Sequence, residues 1–311
     1  MTAIYLMASR PGPVETEILA ELSPTFTVRR RPAGNLTLRY LEGGHGNPIC
    51  LLHGRGHAAT MWLPYLAELA RHHHVIAVDL PGFGHSSSSP FDDGDAEKAL
   101  RFFVEPIETL LGTLGLARAA LIGHSLGALV AVELALRGAI APDKLVLIDG
   151  MGLGPTMTTA SRAFFRAGPE RLARLLGARL FNRISPFPET PLGQRLAALE
   201  HELCTIPGGR PAPTAAFNAL FSMRGPVFHR RERLREISAP TQLVWGEKDA
   251  AFPAPVAIAA AAAIPGARLR MEPLGHSPHL EAPERVLPLL RDFLSSSEGV
   301  SSPIAPRPAG H

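Results

Sequence analysis

Gly123-His124-Ser125-Leu126-Gly127 is a serine held between two glycines in the pattern G-x-S-x-G. An apolar run at 120–122 precedes it and a run with helical spacing at 126–137 follows it. That context predicts a sharp strand-to-helix turn with the serine at its tip. Small neighbours are needed there because larger side chains would clash with the turning backbone. At such a tip the hydroxyl stands at a helix N-terminus, where amide N–H groups and the helix dipole favour developing negative charge. Ser125 is therefore the candidate nucleophile.

A serine hydroxyl is a weak nucleophile and needs a neighbouring base. The chain offers thirteen histidines, so position must choose among them. His276, in Gly275-His276-Ser277-Pro278-His279-Leu280-Glu281, follows the last strand-like run and precedes the last helical one. It is the candidate base, with His279 as its competitor. A carboxylate should orient the imidazole and stabilise its cation. Asp249, at the end of Trp245-Gly246-Glu247-Lys248-Asp249, is the candidate acid. Asp149, just after the run at 145–148, is its rival, and Glu247 is a more distant one. The resulting order is Ser, Asp, His along the chain.

An attacked carbonyl also needs hydrogen-bond donors for its oxygen. His53-Gly54-Arg55-Gly56 follows the apolar run at 49–52. The backbone N–H of Arg55 and that of Leu126, next after the serine, are the two candidate oxyanion donors. The Arg55 side chain is read two ways: it clamps an acidic group of a substrate, or it points to solvent.

These residues must be carried to one place. Runs at 49–52, 75–78, 120–122, 145–148, 242–245 and 269–271 are short and mostly apolar, as strands buried on both faces are. Helical stretches at 61–71, 96–114, 126–137, 255–263 and 283–294 alternate with them. The pattern predicts an α/β fold with a mostly parallel central sheet flanked by helices. Segments 25–30 and 36–41 alternate as a hairpin pair does.

The connection after the run at 145–148 is too long for a crossover. It is broken by several prolines and rich in Phe and Met, including Phe164, Phe165, Phe217, Phe221 and Met223. From Gly150 to about Arg235 it is expected to be an insertion with its own helical structure. It should lie over the carboxyl ends of the strands, where open α/β sheets bind ligands. Its aromatic residues suit an apolar roof to a pocket. Residues 1–24 read as an N-terminal arm, and 298–311, rich in Ser, Pro and Gly, as a disordered tail.

At this point the chain resembles the α/β-hydrolase fold family, from about residue 25 to 296. It is similar to the capped subgroup that holds carboxylesterases, carbon–carbon bond hydrolases and lactonases. The matching pieces are LLHGRG at 51–56, DLPGFGHS at 79–86, GHSLG at 123–127, WGEKD at 245–249 and GHSPHLEAPE at 275–284. The resemblance implies a Ser125–Asp249–His276 triad, an oxyanion hole at Arg55 and Leu126, and a helical cap at about 151–232 that divides the core into 25–150 and 233–297; no cofactor or metal is expected. It assigns Asp79, Gly82, Gly84 and Ser86 to a structural turn. Serine at the turn, in place of aspartate, argues against epoxide hydrolase and haloalkane dehalogenase chemistry. The expected activity is hydrolysis of an ester or similarly activated carbonyl in a small, largely apolar molecule. Carbon–carbon bond hydrolysis, lactone opening and acyl transfer use the same triad and stay open. A ligand-binding protein on the same scaffold is the reading from another class.

Composition sets the remaining expectations. With 311 residues, 46% of them hydrophobic, the chain can bury a large core. The formal net charge is +3, and the Arg29–Arg31 and Arg230-Arg231 runs are short and without interleaved aromatics. They read as solvated faces, so neither nucleic acid nor a membrane surface is an expected partner. No apolar run approaches the ~18 residues of a membrane helix. Cys50 and Cys204 cannot build a disulfide framework and read as buried free thiols. The chain is expected in the reducing cytoplasm. His72-His73-His74 reads as a polar turn, not a metal site.

Overall fold

A computed structural model describes residues 10–296 apart from 24, 92–93, 185–186, 207–208 and 226. The predicted tail at 298–311 lies outside the described residues. The strands are β1 (Phe26–Ala33), β2 (Leu36–Gly43), β3 (Asn47–Leu52), β4 (His73–Val78), β5 (Ala120–His124), β6 (Leu145–Ile148), β7 (Thr241–Gly246) and β8 (Arg268–Glu272). They form one sheet in the order β1-β2-β4-β3-β5-β6-β7-β8. β1 and β2 form the predicted hairpin, and β2 also pairs antiparallel with β4. Every pairing from β4 through β3, β5, β6 and β7 to β8 is parallel.

The helices of the core are α1 (Pro13–Leu22), α2 (Leu63–Leu69), α3 (Ala96–Thr113), α4 (Leu126–Arg137), α9 (Ala254–Ala263), α10 (Pro278–Glu281) and α11 (Pro283–Ser295). Strand alternation explains how they divide between the two faces. Cys50, Leu52, Leu121, Leu145, Leu147 and Leu243 bury one way, against α3, α4 and α9. Ile49, Leu51, Ile122, Val146 and Val244 bury the other way, against α1, α2 and α11. Both faces are thus covered, which is why the central strands read as continuous apolar runs. Both cysteines are buried and free, and burial pushes the Cys50 thiol up to about 12.

Several elements differ locally from the sequence reading. His73 and His74 open β4 because they continue its parallel pairing with Asn47 and Pro48 of β3. The His74 Nε2–H donates to Glu42 Oε1 at 3.0 Å. Residues 61–71 are not one helix: a 3₁₀ turn at Ala59–Trp62 runs into α2, whose first turn holds Pro64. Proline lacks the N–H that a helix interior needs but fits its first turn. Arg230 is no solvated charge, since its guanidinium bridges Glu97 at 2.8 Å and Glu133 at 2.9 Å.

Between β6 and β7 the chain forms α5 (Thr159–Ala167), α6 (Pro169–Ile184), α7 (Pro191–Cys204) and α8 (Pro211–Ala219). Proline opens three of these four helices. α6 is interrupted at Gly177, whose φ of 68° and ψ of 166° are not helical. Arg210, just before α8, ties the insertion to the core by donating to the Gly82 and Gly84 carbonyls at 2.6 and 2.7 Å.

The N-terminal helix α1 is more than an arm on the core. Its Glu15 is fully buried and accepts from Arg39 Nη1 at 2.8 Å and Thr60 Oγ1 at 2.9 Å, with His85 also bound to it. Glu202 of α7 in turn caps α1, accepting from the Val14 and Glu15 amides at 2.9 and 3.0 Å. Among the described residues, no helix is long and apolar enough to cross a membrane.

Candidate active site

The serine turn is built by close packing. Ser125 has φ 51° and ψ −113°, and it separates β5 from α4. A left-handed φ is costly for any residue with a side chain and persists only where the surroundings enforce it. The enforcement here is visible at Gly127. A Cβ at that position would lie 2.1 Å from the Leu52 carbonyl oxygen, so α4 can approach β3 only with glycine. The Ser125 amide donates to Ile148 O at 2.9 Å and its carbonyl accepts from Met151 N at 3.1 Å, fixing the turn against the end of β6.

Ser125, His276 and Asp249 form one hydrogen-bonded chain. The Ser125 hydroxyl lies 3.1 Å from His276 Nε2. His276 Nδ1 lies 3.0 Å from Asp249 Oδ2. These partners assign the imidazole proton to Nδ1, leaving Nε2 to accept from the serine. The remaining Asp249 oxygen, Oδ1, accepts from the Ala251 and Phe252 amides at 2.6 and 3.0 Å. Burial opposes ionisation of Asp249, but the adjacent His276 and these hydrogen bonds hold its carboxyl below the usual range. The ring of Trp245 braces the same loop, donating from Nε1 to Phe252 O at 2.9 Å.

The loop carrying His276 is also braced. Glu281 of α10 accepts from the Gly275 amide at 2.7 Å and from the Ser277 amide at 3.0 Å, on either side of the histidine. His124, beside the serine, presents Nε2 to His276 O at 2.9 Å. His279 is buried behind the site, its ring centre 5.0 Å from Trp62 and 4.4 Å from His124. Asp149, the other acid weighed from sequence, is fully buried beside Asp249 and accepts from the Gly246 amide at 2.9 Å.

The loop after β3 lies against the serine. A Cβ at Gly54 would fall 3.4 Å from Ser125 Cβ and 2.6 Å from His124 Nδ1, so the Gly54-Arg55 backbone runs along the nucleophile turn. His53 holds that loop. Its Nε2 accepts from Leu80 N at 2.9 Å, which leaves the ring proton on Nδ1 to donate to Gly54 O at 2.7 Å. Burial pushes His53 down to about 4, so the ring is neutral and both contacts persist. Leu126 is the first residue of α4, and its amide is one of those a helix leaves without an internal acceptor.

The Arg55 side chain does neither of the two things considered for it. It is buried and pairs at 2.8 Å with Glu170 of α6. It also lies 5.5 Å from the centre of the Phe165 ring and 5.6 Å from that of Phe217. Its charge is therefore spent on the insertion, through one carboxylate and two aromatic faces. The large apolar residues of the insertion divide: Phe217 and Phe221 are buried, whereas Phe164 and Met223 are exposed.

The motif at 79–86 is the structural turn that the resemblance implied. Asp79 accepts from Ala59 N at 2.6 Å, Arg39 Nη1 at 2.9 Å and His85 N at 2.7 Å. Sequence reading missed the braces at His53, Glu281 and Glu170. His53 lay inside the quoted LLHGRG motif and Glu281 inside GHSPHLEAPE, but Glu170 had no local signal.

Residues 51–289 match a sequence profile described as the alpha/beta hydrolase family. The chain belongs to that family. An uncharacterized protein of Mycobacterium tuberculosis is 31% identical, over 88% of this chain and 82% of its own. The 2-hydroxymuconate semialdehyde hydrolase of Pseudomonas sp. strain CF600 is 27% identical, over 84% of this chain and 91% of its own. Among solved structures, carboxylesterase CesB from Bacillus subtilis superposes with a TM-score of 0.70 at 20% identity, covering 91% of this chain and 96% of that one. That last likeness is one of fold. This member of the alpha/beta hydrolase family thus has hydrolases among its relatives, on an eight-stranded, mostly parallel sheet.

Proposed function

We propose that this protein is a serine hydrolase acting without a cofactor on an ester or similarly activated carbonyl. The observation that carries the reading is the chain from Ser125 Oγ through His276 to Asp249, at 3.1 and 3.0 Å. In this reading His276 Nε2 removes the Ser125 proton as the hydroxyl oxygen attacks the carbonyl carbon. Asp249 holds the Nδ1–H and stabilises the imidazolium that forms. The amides of Arg55 and Leu126 receive the oxyanion, each contributing about 3 kcal/mol of transition-state stabilisation. His276 then gives its proton to the leaving group. Water, activated by the same base, releases the acyl group from Ser125.

The substrate is read as small, largely apolar and without a carboxylate at this end of the site. Arg55 is the cation in the oxyanion loop, and Glu170 already neutralises it. The helices between β6 and β7 act as the cap, with Phe165 and Phe217 packed on Arg55 above the loop. Two buried free thiols fit a reducing, cytoplasmic setting.

The test is turnover of short and medium p-nitrophenyl esters by wild type and Ser125→Ala. The expected result is measurable hydrolysis that falls at least a thousand-fold in the variant. Equal rates would end the assignment.

A further inference from the structure

The described residues hold a second acid at the site that the mechanism above does not use. Asp149 follows β6 with φ 42°, the only non-glycine besides Ser125 at positive φ among the described residues. Its side chain is fully buried. Oδ1 accepts from the Gly246 amide at 2.9 Å, but the buried Oδ2 has no N–H donor. One carboxylate oxygen of Asp149, one of Asp249 and a ring nitrogen of His276 all lie within 4.8 Å of one another.

Two carboxylates this close in a dry pocket do not both ionise. Asp249 has the stronger claim to the negative charge, because two amides and the His276 Nδ1–H point at it. Asp149 has one amide only. Glu281, nearby on α10, adds a further like charge. Burial first, and then the charge of Asp249, push the Asp149 carboxyl well above its ordinary range. A neutral carboxylic acid carries one O–H donor. Oδ2 is the oxygen free to bear it, and Asp249 is the acceptor beside it.

We propose that Asp149 is a positioning residue, kept protonated, that donates a hydrogen bond to Asp249 and so fixes the acid behind His276. The proposal rests on the triad reading above. It makes Asp249 the acceptor of four donors, which spreads its charge and locks its rotamer. The bend at positive φ has a use in this light: it turns the Asp149 carboxyl toward Gly246 at the end of β7, whose following loop carries Asp249. Removing the donor leaves Asp249 less well held and more strongly attracting to the imidazolium.

Asp149→Leu removes the donor, and Asp149→Asn keeps both a donor and an acceptor at the same place. Ester hydrolysis by the Leu variant is expected to lose about ten-fold or more in kcat, with KM within about two-fold. Asn is expected to restore kcat to within about three-fold of wild type. The acid limb of the kcat/KM profile moves to higher pH in the Leu variant and stays in place in the Asn variant. Infrared difference spectra of wild type minus Asp149→Asn at neutral pH show the carbonyl band of a protonated carboxylic acid. The proposal is overturned if that band is absent, if Asn performs no better than Leu, or if Leu performs like wild type. An acid limb moved to lower pH in Asn also overturns it, since that marks loss of an ionised neighbour of His276. The infrared reading needs no turnover, so it separates a failure here from a failure of the triad, which Ser125→Ala reports.

Discussion

Glu170 of α6 binds the guanidinium of Arg55 at 2.8 Å, and Arg55 belongs to the loop that runs along the Ser125 turn. The insertion therefore grips the core at the residue whose amide is proposed as an oxyanion donor. Losing one partner of a buried ion pair costs more than the pair contributes, because the other charge is left without compensation. Glu170→Ala should destabilise the protein by roughly 3 kcal/mol and lower kcat/KM. Arg55→Met combined with Glu170→Leu should recover most of the stability. Thermal unfolding of wild type and the two variants checks this, and an unchanged Tm for Glu170→Ala would show that the pair is not a tie between insertion and core.

A second prediction concerns pH. Burial lowers His53 to about 4, and lowers His124 and His279 well below 6.5. In the unfolded chain each binds a proton near pH 6.5, whereas the folded protein keeps each neutral. Through these three histidines the unfolded state takes up more protons between about pH 6.5 and 4; the raised Asp149 carboxyl offsets part of this with the opposite sign, and stability still falls as pH drops through that window. His53 alone contributes about 3 kcal/mol of the loss. Below this range the buried Glu15, Asp79 and Asp249, all held low in the fold, lose their contribution as pH falls through their depressed values. Urea unfolding at pH steps from about 7.5 to 4.5 should show the decline beginning above the carboxylate range. A flat profile down to about pH 5 would contradict it.

The Ser125 backbone leads to a third. With φ at 51°, the residue holds strain that glycine would not. Ser125→Gly should raise stability by about 1 kcal/mol while abolishing turnover. Denaturant midpoints of wild type, Ser125→Gly and Ser125→Ala compare the two effects. A Gly variant no more stable than the Ala variant would show that the turn is relaxed.

Much of this arrangement was legible in the sequence, for a local reason. Ser125, Asp249 and His276 each follow a strand closely, so motif order and strand order together placed them at one edge of the sheet. The choice of Asp249 over Asp149 was less secure, because both follow a strand and both end up buried side by side. Geometry separates them: only Asp249 has a hydrogen bond to His276. The Arg55–Glu170 pair could not be read, since its partners are 115 residues apart and Glu170 stands in no motif. The same holds for Glu15, an acidic residue on a short helix whose burial depends on Arg39, Thr60 and His85 from three other segments. Long-range polar pairing of this kind leaves no periodic trace along the chain.

The central claim is that Ser125 is an activated nucleophile, and a fluorophosphonate probe tests it without knowledge of the substrate. Purified wild-type protein should take up one probe per chain, located on Ser125 by mass spectrometry. His276→Ala should slow the reaction strongly, and Ser125→Ala should show none. Absence of labelling on folded wild-type protein, or labelling that survives in Ser125→Ala, would contradict the account.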